Sequence, residues 1–212
     1  KLAGRGVGDD AVDVSFAHAK QVRVGDAVLD QPVFVIMDLG QLPAVEGFES
    51  DGLIGYEMFR RFGVTIDYAK HELVLADPAK FAPPAGAHAI PFKLADRIPI
   101  IQVDLDSVPA RIRVAPGSRV SLTLHAPFAR EHHLVEKYHA MPDAVIGWGV
   151  GGAARGRPAR FGTLRLGDLA IDAIAGDIYT GDKGAFASPD LSANLGGGLL
   201  RRFTVAFDYG AK

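Results

Sequence analysis

Three blocks of this chain occur twice, in the same order and at nearly the same separation. Gly4-Arg5-Gly6-Val7-Gly8 returns as Gly147-Trp148-Gly149-Val150-Gly151, 143 positions on. Arg23-Val24-Gly25-Asp26 with Asp30 returns as Arg165-Leu166-Gly167-Asp168 with Asp172, 142 positions on. Residues 55–68 return as 196–209, 141 positions on, with 7 of 14 positions identical and Arg60-Arg61-Phe62 matched by Arg201-Arg202-Phe203. Convergent turn chemistry repeats one glycine block, not three in register. A fixed long period means one structural plan used twice, so the chain is expected to fold as two homologous lobes. Residues 77–91, with Pro78, Pro83, Pro84, Gly86 and Pro91, read as the linker between them. The expected division is therefore 1–76, 77–91 and 92–212.

The plan is β. Short alternating or apolar runs stand at 12–16, 21–24, 32–37, 64–68, 72–75, 100–105, 110–114, 120–124, 163–166, 170–174 and 204–209, nearly all bounded by Gly, Asp or Pro. Helix is expected at 127–138, with short helical turns near 56–62 and 198–203. Many short strands between frequent turns predict an all-β protein, with lobes of six to eight strands closed or nearly closed. The copies are unequal. Gly4 corresponds to Gly147, so nothing in lobe one matches residues 90–146. Without those strands, sheet edges and core would lie open. The protein is expected to extend upstream of Lys1, or a separate chain to supply the missing piece. Lys1 itself follows no initiator methionine or signal-peptide core.

Composition narrows the chemistry. The chain has no cysteine, which excludes a disulfide framework, a thiolate nucleophile and cysteine-ligated zinc. Its 23 basic and 25 acidic residues give no basic footprint for nucleic acid. No apolar run approaches the roughly 18 residues of a membrane-spanning helix. Glycine is plentiful, 25 of 212 residues, and concentrates in the repeated blocks.

Those blocks resemble the bacterial retropepsin-like aspartic peptidases over nearly the whole chain. Leu53-Ile54-Gly55-Tyr56 and Asn194-Leu195-Gly196-Gly197 resemble the apolar-apolar-Gly motif near the end of each lobe in that family. Phe62-Gly63-Val64-Thr65-Ile66-Asp67-Tyr68 and Phe203-Thr204-Val205-Ala206-Phe207-Asp208-Tyr209 resemble its closing strands. Gly147-Trp148-Gly149-Val150-Gly151-Gly152 resembles its flap tip, which must bend sharply and approach a peptide backbone, as glycine permits. Trp148, the one tryptophan, is expected either to cover a substrate side chain from that flap or simply to pack. Val114-Ala115-Pro116-Gly117-Ser118 stands where the family places its catalytic loop.

The resemblance implies an aspartic endopeptidase that needs no metal or organic cofactor. It also implies a peptide or protein substrate, held extended by Trp148, Gly149, Val150 and Gly151, and a bacterial, exported or periplasmic setting. Such enzymes use two aspartates, one from each lobe, sharing a proton: one activates water and the other polarises the scissile carbonyl. Here the catalytic positions read Ala115, Pro116 and Gly117. Ala115 has no proton to share, Pro116 has neither hydroxyl nor N–H, and Gly117 alone keeps its role in the turn. The matching loop of lobe one would lie before Lys1. This chain is therefore expected to be inactive, as a substituted or processed peptidase or as a pseudoprotease that binds peptides without cutting them.

Other clusters are better explained structurally. Glu131, His132, His133, Glu136 and His139 read as a solvated helix face rather than a metal site. Ser118, Ser121, Thr123 and His125 lack a nucleophile elbow and read as strand hydroxyls with a neighbouring histidine. Neither Gly4-x-Gly6-x-Gly8 nor Gly196-Gly197-Gly198 has the strand–loop–helix setting of a phosphate loop. Arg60-Arg61 and Arg201-Arg202 are expected to form ion pairs with Asp67 and Asp208.

Overall fold

A computed structural model describes residues 2–8 and 10–211; the expected lobe ends Lys1 and Lys212 lie outside the described residues. The protein is all-β, with helices of at most six residues. The first half begins β1 (Leu2–Arg5), β2 (Ala11–His18), β3 (Gln21–Val24), β4 (Ala27–Asp30) and β5 (Val33–Met37). It continues α1 (Leu42–Glu46), α2 (Tyr56–Phe59), β6 (Gly63–Asp67) and β7 (Glu72–Ala76). No strand interrupts 77–91, where Asp77 caps a single 3-10 turn at Pro78–Lys80.

The second half comprises β8 (Phe92–Ala95), β9 (Ile98–Leu105), β10 (Val108–Ala115), β11 (Leu122–Leu124), α3 (Ala126–Glu131) and α4 (Leu134–Lys137). It ends with β12 (Ala144–Gly149), β13 (Gly152–Phe161), β14 (Leu164–Leu166), β15 (Leu169–Ile171), β16 (Ile174–Tyr179), β17 (Ala193–Gly196), α5 (Gly197–Leu200) and β18 (Thr204–Phe207). The helix expected at 127–138 is broken in two. His133 adopts φ 52°, a left-handed conformation that no continuous helix tolerates, and α4 starts anew after it.

Ten strands of the second half form one sheet, more than the six to eight expected, ordered β12-β13-β16-β11-β17-β10-β9-β14-β15 with β8 added on β9. Its ends, β12 and β15, do not pair, so the sheet path stays open. Strand β17 lies between β10 and β11, parallel to the first and antiparallel to the second. Alternation along β9 and β10 sends Ile101, Val103, Leu105, Ala110, Ile112 and Val114 into one core with Leu122, Leu124, Phe161 and Leu195.

The first half is thinner. Strands β1-β2-β5 make a three-stranded sheet and β3-β4 a hairpin. Among the described residues before Asp77, the buried apolar side chains are Leu29, Met58 and Val64. Phe16, Val35 and Ile36 on β2 and β5 are about half exposed. The halves meet where β18 pairs with β6, and β6 with β7. In that ladder Thr65 stands opposite Ala206, the residue 141 positions on in the sequence. Phe59 packs edge-on against Phe207, ring centroids 5.2 Å apart, beside Tyr209.

The expected ion pairs differ. Glu57, one turn before the arginines on α2, takes both Arg60 (2.7 Å) and Arg61 (3.2 Å), while Asp67 binds Lys70. Gly198 occupies the place of Glu57 in the second copy. Arg201 and Arg202 accordingly have no carboxylate partner among the described residues, and Asp208 accepts instead from the backbone of Gly210 and Ala211.

Candidate functional site

The site is built where β10 ends. Ala115 lies at its last position, opposite Gly196 on β17. The chain then turns through Pro116 and Gly117, closed by the Ser118 N–H donating to the Ala115 carbonyl (2.9 Å), with proline at the turn position that favours its fixed φ. Residues 116–121 arch over the end of β17. The N–H groups of Gly196, Gly197 and Gly198 donate to the carbonyls of Ser121, Ser118 and Val120. A Cβ on Gly196 would stand 2.2 Å from the Val120 carbonyl oxygen and one on Gly198 2.6 Å from that of Arg119. The three glycines are thus required by close approach of two backbone segments, not by a phosphate.

Over this loop leans the β12–β13 hairpin, bulged between Val145 and Gly147 and turning at Gly151 and Gly152 with φ 90° and 111°. Between loop and hairpin runs a groove of about 460 Å³, lined by Gly117, Ser118 and Thr123 below, by Trp148 and Ile146 above, and by Phe186 at its side. Helix α1 borders the groove: Arg119 bridges to Glu46 (3.2 Å), and Val45 lines the wall. The structure therefore brings Gly117 and Trp148 together across a groove.

Gly149, Val150 and Gly151 meet a different neighbour. The repeated block of lobe one lies along the hairpin tip: the Gly8 N–H donates to the Val150 carbonyl and the Asp10 N–H to that of Gly151, both at 3.1 Å. The Ala185 N–H donates to the Gly6 carbonyl (3.0 Å). Val7 packs against the small apolar cluster of Ala126, Ala154, Tyr179 and Phe186.

Below the groove the sheet carries a polar row. Arg113 stands opposite Asn194, Asn194 opposite Thr123, and Thr123 opposite Asp177, across β10, β17, β11 and β16. Their sequence neighbours Ile112, Val114, Leu195, Leu122, Leu124 and Ile178 face the core, so period-2 alternation puts all four polar side chains on the opposite face of the sheet, where Thr123 lines the groove. Arg113 Nε donates to Asn194 Oδ1 (2.7 Å), and Asn194 Nδ2 donates to Ser118 Oγ (3.3 Å). The Arg113 guanidinium lies 5.0 Å from the centre of the Phe186 ring.

Burial sets the protonation here. It pushes the Asp177 carboxyl up to about 7, with the Thr123 hydroxyl opposing, and leaves Oδ1 without a partner. It pushes His125 down to about 4, against a hydrogen bond between Nδ1 and the Ser188 carbonyl, with Nε2 unpartnered. The residue at the end of β10 is Ala115, which carries no ionisable group. Among the described residues, no cluster of three or more His, Asp and Glu side chains can hold a metal, and no helix is long and apolar enough to cross a membrane.

The sequence motifs point to Ala115, Pro116, Gly117 and 148–151 and pass over the polar row. Its signal was present: Arg113 between Ile112 and Val114, and Asp177 before Ile178, are charges inside apolar strands. Asn194 is the polar exception in its apolar-apolar-Gly motif. Phe186, Val45 and Glu46 reach the groove from distant segments and carried no local mark.

No family model matches the chain, and no curated protein matches it. Among solved structures, the chain is similar to a retropepsin-like aspartic protease from Rickettsia conorii. That similarity is 19% in identity with a TM-score of 0.39, and it covers 54% of this chain and 79% of that one.

Proposed function

We propose that this chain is a retropepsin-like scaffold without a catalytic carboxylate, which holds an extended peptide in the groove between the loop at 116–121 and the β12–β13 hairpin. The observation that carries this reading is the seating of 6–8 and Asp10 on the hairpin tip. This segment donates backbone hydrogen bonds to the hairpin tip through the Gly8 and Asp10 N–H groups and packs Val7 against an apolar cluster, and main-chain bonds with a side-chain pocket are how a peptide ligand is recognised. A second reading is the aspartic endopeptidase itself. It is favoured by the position of residue 115 at the end of β10 and of Gly117 in the groove wall, and it requires an aspartate at 115 and a second from a completed lobe one.

We further propose that the two halves arose by duplication. Supporting this, β1 to β5 follow the order and spacing of β12 to β16, α2 that of α5, and β6 that of β18. The self-matched pair Thr65·Ala206 is what a twofold relation between copies requires. On this reading the exposed apolar face of β2 and β5 is the place of a segment equivalent to 92–140, supplied in cis or by a separate chain.

Trp148 lines the groove and is the one tryptophan, so its emission reports occupancy directly. Titration with extended apolar heptapeptides is expected to shift that emission saturably, while mass spectrometry finds each peptide intact from acidic to neutral pH. Cleavage by the purified chain, or a Trp148 signal indifferent to peptide, overturns the peptide-binding reading. Ala115→Asp alone is expected to stay inactive, because Pro116 and the second carboxylate are unchanged.

A further inference from the structure

The hydrogen bonds beneath the groove have only one consistent direction. An arginine Nε–H can only donate, so Asn194 must present Oδ1 to Arg113, as the 2.7 Å contact shows. The amide nitrogen of Asn194 then faces Ser118 Oγ at 3.3 Å and can only donate in turn. Ser118 Oγ is therefore an acceptor toward Asn194, and its own O–H proton is turned away from the sheet. Ser118 lines the groove beside Gly117 and Trp148. Arg113 thus acts through Asn194 to make Ser118 a hydrogen-bond donor into the groove.

The guanidinium has needs of its own. Its polar contacts are one neutral amide and the face of Phe186, and no carboxylate pairs with it among the described residues. Burial lowers its pKa, the mark of a cation separated from water without a counter-charge. The guanidinium of Arg119, which lines the groove, is already paired with Glu46. One unpaired planar fork and one aimed hydroxyl, beside the apolar side chains of Val45, Ile146, Trp148 and Phe186, match a planar anion carried on an apolar ligand.

We propose that Ser118 in the groove wall and Arg113, which lies against the groove-lining Phe186, form a carboxylate-binding subsite at the edge of the groove, with Asn194 as the positioning residue between them. The inference rests on the peptide-binding reading and names its anchor: the C-terminal carboxylate of a bound peptide or the carboxylate of an aspartate or glutamate within it. Arg113 takes one carboxylate oxygen through its terminal nitrogens, and Ser118 donates to the other.

The test separates this anchor from the groove. In the ¹⁵N-labelled protein, titration with N-acetyl-leucine is expected to shift the Arg113 Nε–H and Asn194 amide signals, and titration with N-acetyl-leucinamide to leave them in place. An apolar heptapeptide ending in a free carboxylate is expected to bind about tenfold more tightly than its C-terminal amide, the usual worth of a hydrogen bond to a charged group. If instead the amide with an internal glutamate gains that factor over its glutamine twin, the side chain is the source. Arg113→Lys is expected to remove the preference for the acid, and Ser118→Ala, which leaves the sheet intact, to reduce it several-fold. Peptides that bind equally well as acid, amide, Glu and Gln forms overturn the subsite and leave the peptide groove standing. Shifts with N-acetyl-leucine but no binding of any peptide overturn the groove reading and leave the anion subsite. Silence in both titrations overturns both.

Discussion

Leu53-Ile54-Gly55 and Asn194-Leu195-Gly196 stand 141 positions apart with the same apolar-Gly ending, yet only the second is a strand. Leu195 is 3% exposed and lies between β10 and β11. Ile54, its counterpart, is 59% exposed and has no strand beside it. The apolar pattern is alike, so the difference is not propensity. A β segment becomes a strand when neighbours accept its hydrogen bonds, and among the described residues no strands flank 53–55 as β10 and β11 flank β17. The segments just after the motif need no such neighbours: α2 and α5 form locally, and β6 and β18 pair with each other.

The sharpest way to break this contrast is a matched pair of truncations. Leu195→Ala is expected to cost about 2–5 kcal/mol, as a fully buried leucine does, and Ile54→Ala less than about 0.5 kcal/mol. Urea denaturation of both variants measures the two costs. Comparable losses would mean that Ile54 is covered in solution and the two regions are equivalent after all.

A second contrast is electrostatic. The buried polar side chains, His125, Asp177 and Asn194 among them, all belong to lobe two within the described residues. Asp177 is raised from 3.8 to about 7, so between those values the native state holds the proton that the unfolded chain has lost. Its contribution to stability is present below that window and lost as pH rises through it. His125 is lowered from 6.5 to about 4, so there the unfolded chain holds the extra proton, and its contribution is lost as pH falls. The two slopes oppose each other over their shared range, and the parent stability is expected to vary little from about pH 4 to 6.5. Asp177→Asn exposes the histidine slope, a rise of up to about 1.4 kcal/mol per pH unit; His125→Asn exposes the opposite fall. Denaturant midpoints across that range read both, and identical profiles for the two variants would place the titrating group elsewhere.

The smallest expected effect lies where the lobes touch across the groove. Arg119 and Glu46 are partly exposed, so Arg119→Ala is expected to change stability by at most about 1 kcal/mol. Thermal unfolding checks it. A larger loss would show that α1 of lobe one is held on the groove mainly by this one pair.

Much of this contrast was legible beforehand. The repeat arithmetic placed the matched blocks, and 21–24 and 72–75 appear as strands almost at their expected bounds because alternation and turn residues agree there. The hairpin tip followed from glycines with φ above 90° or near it at Gly151 and Gly152. What escaped has physical causes. Strands β12, β13 and β17 hold Gly, Ala, Arg and Asn, weak strand formers that pairing alone makes extended. The break at His133 depends on a backbone conformation that helix propensity does not record. The polar row is a property of register between four strands, and register across 81 residues, as between Arg113 and Asn194, leaves no trace in a local window.

The insertion of β17 between β10 and β11 also governs the order of events as the chain is made. Strands β10 and β11 leave the ribosome some 80 and 70 residues before the strand that joins them, since Ile112 and Leu124 both pair with Ala193. Until then the central gap in the sheet stays unfilled, and closing so long a loop is the slow kind of folding step. Residues 193–207 are therefore the keystone of the second lobe. A nascent chain arrested before them carries the groove loop, the polar row and the hairpin, but has two open strand edges facing each other where the site should be.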